Sequence, residues 1–314
     1  MSEDRSRLYR VSVCICTFRR PLLLEVLIRA VANQFMGDLI EELQIVVVDN
    51  DPDNSAREVL ASWHDKQRVS LIAIHLPVAN IALARNAAIS AASLPWIAFI
   101  DDDENPEEDW LYQLARCQQQ FSADAVFAPV VPRYLPGTPD WLIQGRFFDR
   151  RRFVSGSRID EEDARTGNVF LSAEMLLLVP GPFDSTFGRT GGEDSLLFRQ
   201  LLAQNKIFIW CDEAPVEEDV PVDRANARWL LARSYRIGQT WIRAELYSCS
   251  RITRISRGTY LCGRAFVFLL LAIGLTILYA PWSKIRAFQW LRTAYSQMGK
   301  LTGLTRFQYR EYGA

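Results

Sequence analysis

Five short apolar runs recur through the first 130 residues, and a segment of helical period separates each from the next. Val11–Cys16, Gln44–Asp49 (QIVVVD), Val69–Ile74, Trp96–Ile100 and Ala125–Val131 read as strands. Pro21–Gln34, Asn54–Trp63, the IALARNAAISAA segment that Asn80 can cap, and a stretch near Pro106–Gln120 read as helices. Strands that are apolar throughout, rather than at every second residue, are buried on both faces. Their alternation with helices predicts a mostly parallel α/β sheet covered on both sides. In such sheets ligands bind beyond the carboxyl ends of the strands. The polar residues standing there are Thr17, Asp49 and Asp101–Asp103.

The middle of the chain is looser. Residues 132–192 hold Pro- and Gly-rich turns, a basic-aromatic stretch (RFFDRRRF) and an acidic run (DEED), with Val169–Ser172 and Met175–Val179 as strand candidates. Ser195–Asn205 reads as a helix, Ile207–Trp210 as a strand and Arg224–Ser250 as a helix. With 314 residues and 49% hydrophobic content there is ample material for a large core. The expected division is a catalytic domain over 1–245 and a basic, partly apolar helical tail over 246–314. Net charge is −1, yet residues 224–314 carry 15 Lys/Arg against Glu245 and Glu311, so the body is near −14 and the tail near +13. That split suits an acidic body that uses cations and a tail drawn to anionic surfaces, although the two parts could also simply attract each other. The six cysteines form no CxxC pair, and Cys14 and Cys16, two apart on a strand, read as small core residues of a reduced compartment. The opening MSEDRSRLYR has no apolar run, so no secretory signal is expected. Two histidines, His64 and His75, count against a histidine-rich metal site or a Ser-His-Asp triad.

The segment IAFIDDDEN, residues 97–105, drives a buried strand into three consecutive aspartates. Adjacent carboxylates repel and resist desolvation, so water, hydrogen bonds or a cation must offset them. A hard ion such as Mg2+ or Mn2+ prefers carboxylate oxygen and often shares its site with phosphates; the plainer alternative is a solvated acidic turn. Asp49 can accept from a base imide or a ribose hydroxyl, or can begin the turn-rich DNDPDN stretch. Arg85 can face a ligand or the solvent. Glu193 and Asp194 follow Thr190-Gly191-Gly192, where carboxylates can cap a helix N-terminus or serve as a general base toward a bound hydroxyl.

Taken in order, VSVCICTFRRP, VVVDN, ARNAAI, WIAFIDDDENPEEDWL and TGGEDSLLFRQ resemble glycosyltransferase family 2 over roughly residues 10–240. TGNVFLS, GGEDSLLF and APVEEDVPVDR followed by RSYRIGQTW are most similar to the succinoglycan-type exopolysaccharide glucosyltransferases. The resemblance implies a GT-A fold, inversion at the anomeric carbon and a nucleotide-diphosphate donor, UDP in many members. It implies an Asp-x-Asp element at Asp101 and Asp103, with Asp103 the direct Mn2+ or Mg2+ ligand and Asp101 near the ribose or metal-bound water; Asp102 between them has an open role. It places Asp49 at the base, and Thr17 and Arg85 near the nucleotide. It makes Asp194 the base, with Glu193 second. Many relatives carry a late histidine that reaches the metal or diphosphate; here the region reads VEEDVP, with Glu218 in a related position. Arg233 and Arg236 would neutralise the diphosphate.

AFVFLLLAIGLTILYA, residues 265–280, carries no charge over 16 residues. As a helix it would span roughly 24 Å, short of the ~30 Å hydrocarbon core. Basic residues flank it on both sides, from Arg251 to Arg264 and from Lys284 to Arg292. A full span would place one cluster outside, against the positive-inside tendency. The expectation is therefore a helix that lies on or dips into the cytoplasmic leaflet of the inner membrane, with Trp282 and Trp290 at the interface; a short span and a buried core or dimer helix are the alternatives. A lipid-linked glycan acceptor would explain such docking, and nucleic acid is not expected as a partner. Two other classes compete: a sugar-phosphate nucleotidyltransferase, which needs a glycine-rich loop that CTFRRP lacks, and a non-catalytic sugar- or lipid-binding scaffold.

Overall fold

The structure, a computed structural model, describes residues 8–63 and 69–305; His64 lies outside them. Two compact units are present. The first comprises Met1–Pro132, Arg150–Arg189 and Glu193–Glu218. Its centre is a seven-stranded sheet built from β1 (Tyr9–Thr17), β2 (Ile40–Asp49), β3 (Ser70–His75), β4 (Trp96–Ile100), β6 (Ala125–Phe127), β8 (Asn168–Ser172) and β9 (Phe208–Trp210), in the order β3-β2-β1-β4-β8-β6-β9. β1 pairs in parallel with β2 and β4, β2 with β3, and β6 with β9. β8 is inserted antiparallel between β4 and β6. β5 (Glu104–Pro106), β10 (Val216–Val220) and β7 (Val130–Tyr134) form a small second sheet in which β5 and β10 are antiparallel.

Successive strand residues point to opposite faces, and both faces are covered. Val11, Val13 and Ile15 of β1 share one core with α1 (Pro21–Ala32), α2 (Arg57–Trp63) and α4 (Trp110–Phe121), through Leu24, Leu27, Ile28, Leu60, Trp110 and Leu114. Cys14 belongs to the opposite core, with Ala82, Ala84 and Ala88 of α3 (Ile81–Ala91) and Leu197, Phe198 and Leu201 of α7 (Glu193–Leu202). Small alanines on α3 let that helix lie close to the sheet. The mostly parallel, doubly covered architecture expected from the strand pattern is the one present.

Several local expectations change. Met175–Val179 is not a strand: Ser172 caps a short helix, α6 (Ala173–Leu176), by accepting from the Met175 N–H at 3.3 Å, and the residues that follow favour helix. α4 starts at Trp110, not near Pro106, because residues 104–106 are committed to pairing with β10. The run 125–131 divides into β6 and β7 as the chain passes from one sheet to the other. The segment 224–250 is helical only over α8 (Ala227–Glu245), capped by Asn226 on the Trp229 N–H.

The second unit comprises Arg133–Asp149, Thr190–Gly192 and Asp219–Ala314. α5 (Asp140–Gln144), α8, α9 (Arg251–Tyr279) and α10 (Lys284–Thr302) are its helices, and Leu142, Phe147, Leu230 and Phe288 meet in its core. α8 and α10 approach until backbones touch. A Cβ on Gly238 would stand 2.0 Å from the Ser296 carbonyl oxygen, and one on Gly299 would stand 1.9 Å from that of Tyr235. Glycine inside a helix costs about 0.5–1 kcal/mol relative to alanine, so close packing explains these two. Gly238→Ala or Gly299→Ala is expected to destabilise the unit by about 1–3 kcal/mol, read by denaturant unfolding. Gly263→Ala, where nothing lies within 4 Å, is the control and is expected to stabilise.

Gly258, Leu261, Ala265 and Ala272 are the buried residues of α9 and recur at helical spacing, forming one inward stripe. Phe266, Val267, Phe268, Leu270, Leu271, Ile273, Ile277 and Leu278 are exposed. By length and composition α9 could cross a membrane, and only 17% of its apolar window is buried.

Candidate active site

Parallel strands end together, and here they end in polar residues. Thr17, Asp49 and His75 stand in register across β1, β2 and β3. Asp101 follows β4 directly, and antiparallel β8 starts at the same rim, with Asn168 opposite Ile100. The three aspartates therefore lie at the carboxyl edge of the sheet, and the fold supplies the cations that offset them. Arg20 contacts Asp102 at 2.8 Å and Asp103 at 2.7 Å. Thr17 donates through Oγ1 to Asp102 at 2.8 Å. Asp102 is buried, and burial pushes its pKa up to about 6, with Arg20 opposing the rise, Asp103 adding to it and Thr17 opposing it.

Arg85 serves the other side of the turn. On α3 its guanidinium is buried, contacts Glu193 and Asp101, the latter at 3.3 Å, and lies 5.6 Å from the Phe183 ring centroid. Burial opposes its charge, but Glu193, Asp101 and Asp194 outweigh that and raise its pKa above the ordinary arginine value. Gly191 and Gly192 precede α7 with φ of +76° and +94°, a conformation glycine adopts without penalty. The chain then enters the helix with Glu193 buried and Asp194 half-buried. Asp194 accepts the Ser195 N–H through Oδ1 at 2.7 Å. Arg165 is near enough for its charge to interact with Asp194.

The structure thus gathers Thr17, Arg85, Asp101, Asp102, Asp103, Glu193 and Asp194 on one rim. Asp49 holds the adjoining turn: its carboxylate accepts the N–H groups of Asp51 and Ala56 at 2.9 and 2.8 Å. Glu218 pairs in register with Glu104 and contacts Arg150 at 3.1 Å. Arg233 and Arg236 lie on α8 in the second unit, where the Arg233 guanidinium is 5.1 Å from the Trp229 ring centroid.

Three members of the rim escaped the sequence reading. Arg20 was visible only as the second arginine of CTFRRP. Cys16, read as core, is half-buried at the end of β1, and its thiol is pushed up to about 12 by burial, Arg85 opposing, and Asp101, Asp102 and Glu193 adding to the rise. Glu104 is buried; burial and the charges of Asp101 and Glu218 hold its pKa well above the usual carboxylate range.

The donor set is chemically suited to a hard divalent ion. Such an ion commonly takes one or two carboxylates and completes its shell with phosphate and water. Asp101 offers a carboxylate that is 45% exposed and only loosely tied to Arg85, whereas Asp103 is paired with Arg20 at 2.7 Å. Among the described residues no group of three or more His, Cys, Asp or Glu forms a ready cage.

A family model described as Glycosyl transferase family 2 matches residues 12–172, which contain most of β1, the aspartate turn and β8. The chain is 32% identical over 233 residues to the succinoglycan biosynthesis protein ExoM of Rhizobium meliloti, covering 73% of each chain. Crystal structures of S. aureus TarS residues 1–349 share the fold at 13% identity. The complex with UDP has a TM-score of 0.53 and covers 93% of this chain and 90% of that one. The complex with UDP-GlcNAc also gives 0.53, with 92% of each covered. The longer TarS chain is covered over only 55% of its length. From the family match, the ExoM identity and a GT-A sheet with its carboxylates on the carboxyl rim, the chain belongs to glycosyltransferase family 2.

Proposed function

We propose that this enzyme is a metal-dependent inverting transferase that moves a hexose from a UDP-sugar to a hydroxyl of a lipid-linked glycan during exopolysaccharide synthesis. The observation that carries the reading is the meeting of the Asp101–Asp103 turn with the Glu193–Asp194 pair through one buried arginine, Arg85. The name of the ExoM relative supports the polysaccharide product, and the UDP and UDP-GlcNAc complexes of TarS support the donor class.

Arg85 occupies Glu193, which is buried, so Glu193 is the poorer base. The hydrogen bonds that Asp194 receives come from Ser195 to Oδ1, which leaves Oδ2 to take a proton. The acceptor hydroxyl oxygen forms a bond to the anomeric carbon on the face opposite the diphosphate. Its proton passes to Asp194, and the anomeric carbon–oxygen bond to the diphosphate breaks. An α-linked donor then yields a β-glycoside. When bound, Mn2+ or Mg2+ held by Asp103 and Asp101, with Glu218 adjoining, supplies Lewis-acid stabilisation of the charge on the leaving diphosphate. On the nucleotide side, Thr17 braces Asp102, and Asp49 holds the adjoining turn, so these buried residues shape that side.

The acceptor explains α9. α10 packs along α9 and carries Lys284, Arg286, Arg292 and Lys300. If α9 crossed the bilayer, these cations would enter hydrocarbon at about 2.5–3.5 kcal/mol each near its centre. Lying in the plane of the cytoplasmic leaflet of the inner membrane, α9 buries its exposed apolar face while its arginines meet anionic headgroups. The test is incubation with membrane extract and a panel of labelled nucleotide sugars with Mn2+ or Mg2+. A labelled lipid product that EDTA abolishes is expected. A chelator-resistant reaction overturns the metal, a water-soluble product overturns the lipid acceptor, and release of inorganic pyrophosphate from a nucleoside triphosphate favours the nucleotidyltransferase.

A further inference from the structure

Glu104 sits immediately after the three aspartates, yet it is only 3% exposed. Its side chain turns back on the chain. Oε2 accepts the backbone N–H of Asp101 at 2.9 Å, and the Glu104 N–H donates to the Asp101 carbonyl at 3.1 Å. This reciprocal pair closes the turn that carries Asp101, Asp102 and Asp103. Glu104 also begins β5, where it stands in register with Glu218 of β10, so one end of the clasp is anchored in a sheet. Its second oxygen, Oε1, is buried with no hydrogen-bond partner. What lies beside it is Gly167: a Cβ there would stand 2.6 Å from Glu104 Oε1 and 3.3 Å from Asp101 Oδ2.

A buried carboxyl with one oxygen unsatisfied is a costly way to close a turn. Solvent-exposed serine or asparagine would accept the same N–H. The feature it provides is rigidity at the base of Asp101. The backbone of that residue is held by Glu104, and its carboxylate is left at the rim, touching Arg85 at 3.3 Å.

We infer that Glu104 and Gly167 are positioning residues: the glutamate clasps the Asp101 backbone, the glycine leaves room for the clasp, and together they hold the Asp101–Asp103 turn in the shape that receives the donor's diphosphate and its cation. The inference rests on the proposed donor site at that turn. It assigns neither residue a contact with substrate.

The test is calorimetric titration of the 314-residue chain with UDP and Mn2+, alongside thermal unfolding of the ligand-free variants. Glu104→Ala removes the acceptor, and Gly167→Ala keeps every polar group but crowds Oε1. Each is expected to weaken UDP binding about tenfold, or about 1.4 kcal/mol. Glu104→Gln retains a carbonyl acceptor for the Asp101 N–H and is expected to bind UDP within about threefold of wild type, well under the cost of a lost hydrogen bond. A purely structural role would instead make UDP affinity follow the loss of melting temperature across all three variants, and that result overturns the inference. Wild-type affinity in Gly167→Ala, or in a folded Glu104→Ala, overturns it as well. Asp101→Asn separates the two levels of the argument. If it abolishes Mn2+-dependent UDP binding while Glu104→Ala and Gly167→Ala bind normally, the donor site stands and the clasp falls. If Asp101→Asn binds UDP and Mn2+ as wild type does, the donor site itself is misplaced.

Discussion

Asp194→Asn is expected to lower sugar transfer by about 10²–10⁴-fold, the range a positioned general base supplies, while calorimetric UDP affinity stays at the wild-type value. Asparagine is nearly isosteric and keeps an Oδ1 acceptor for the Ser195 N–H, which now receives it at 2.7 Å. The helix start at α7 is therefore retained. What is lost is an oxygen able to take the acceptor's proton. Because the change acts only once a hydroxyl attacks, kcat should fall with little change in donor binding. Turnover at the wild-type rate would move the base to another residue, and a parallel loss of UDP binding would make Asp194 part of the donor site instead.

The largest effect on folding is expected from Arg85→Met. The side chains of Arg85 and Glu193 are only 8% and 4% exposed. Removing one partner of such a pair strands the other as a buried charge, which costs about 3–5 kcal/mol. For a protein of this size that corresponds to a drop in Tm on the order of 10 °C. Arg85→Met combined with Glu193→Gln should recover much of the loss, because the uncompensated carboxylate is gone; Asp101, half-exposed at the rim, can be solvated in either variant. Thermal unfolding of the two variants side by side decides the matter. If the double variant is as unstable as the single one, Arg85 stabilises the fold through its packing on Phe183 rather than through its charge. Recovery of stability without recovery of transfer would show that the pair also shapes the site.

The strands show how much of the architecture could be read locally. Val11–Cys16 and Gln44–Asp49 were legible because short, largely apolar runs without helical period mark strands buried on both faces, and the observed β1 and β2 extend those runs by a few residues. Asn80 was legible as a cap and accepts the Leu83 N–H at 3.1 Å. The antiparallel placement of β8 was not legible. NVFLS has the same apolar character as a parallel strand, and direction depends on the path of residues 132–167. The strand at 104–106 was hidden for a similar reason: ENP has weak strand propensity of its own and is held by pairing with β10.

The site divides along the same line. The sequence by itself determined that acidic side chains cluster after buried strands and at the start of α7, because hydrophobic period and charge are properties of neighbouring residues. Tertiary structure alone decided which cation meets which anion. Arg20 reaches Asp102 across 82 residues, and Arg85 reaches Glu193 across 108. Charge pairing is a matter of distance and burial, which local pattern does not encode, so the three aspartates could be seen to need a counterion but not to have Arg20 and Arg85 beside them.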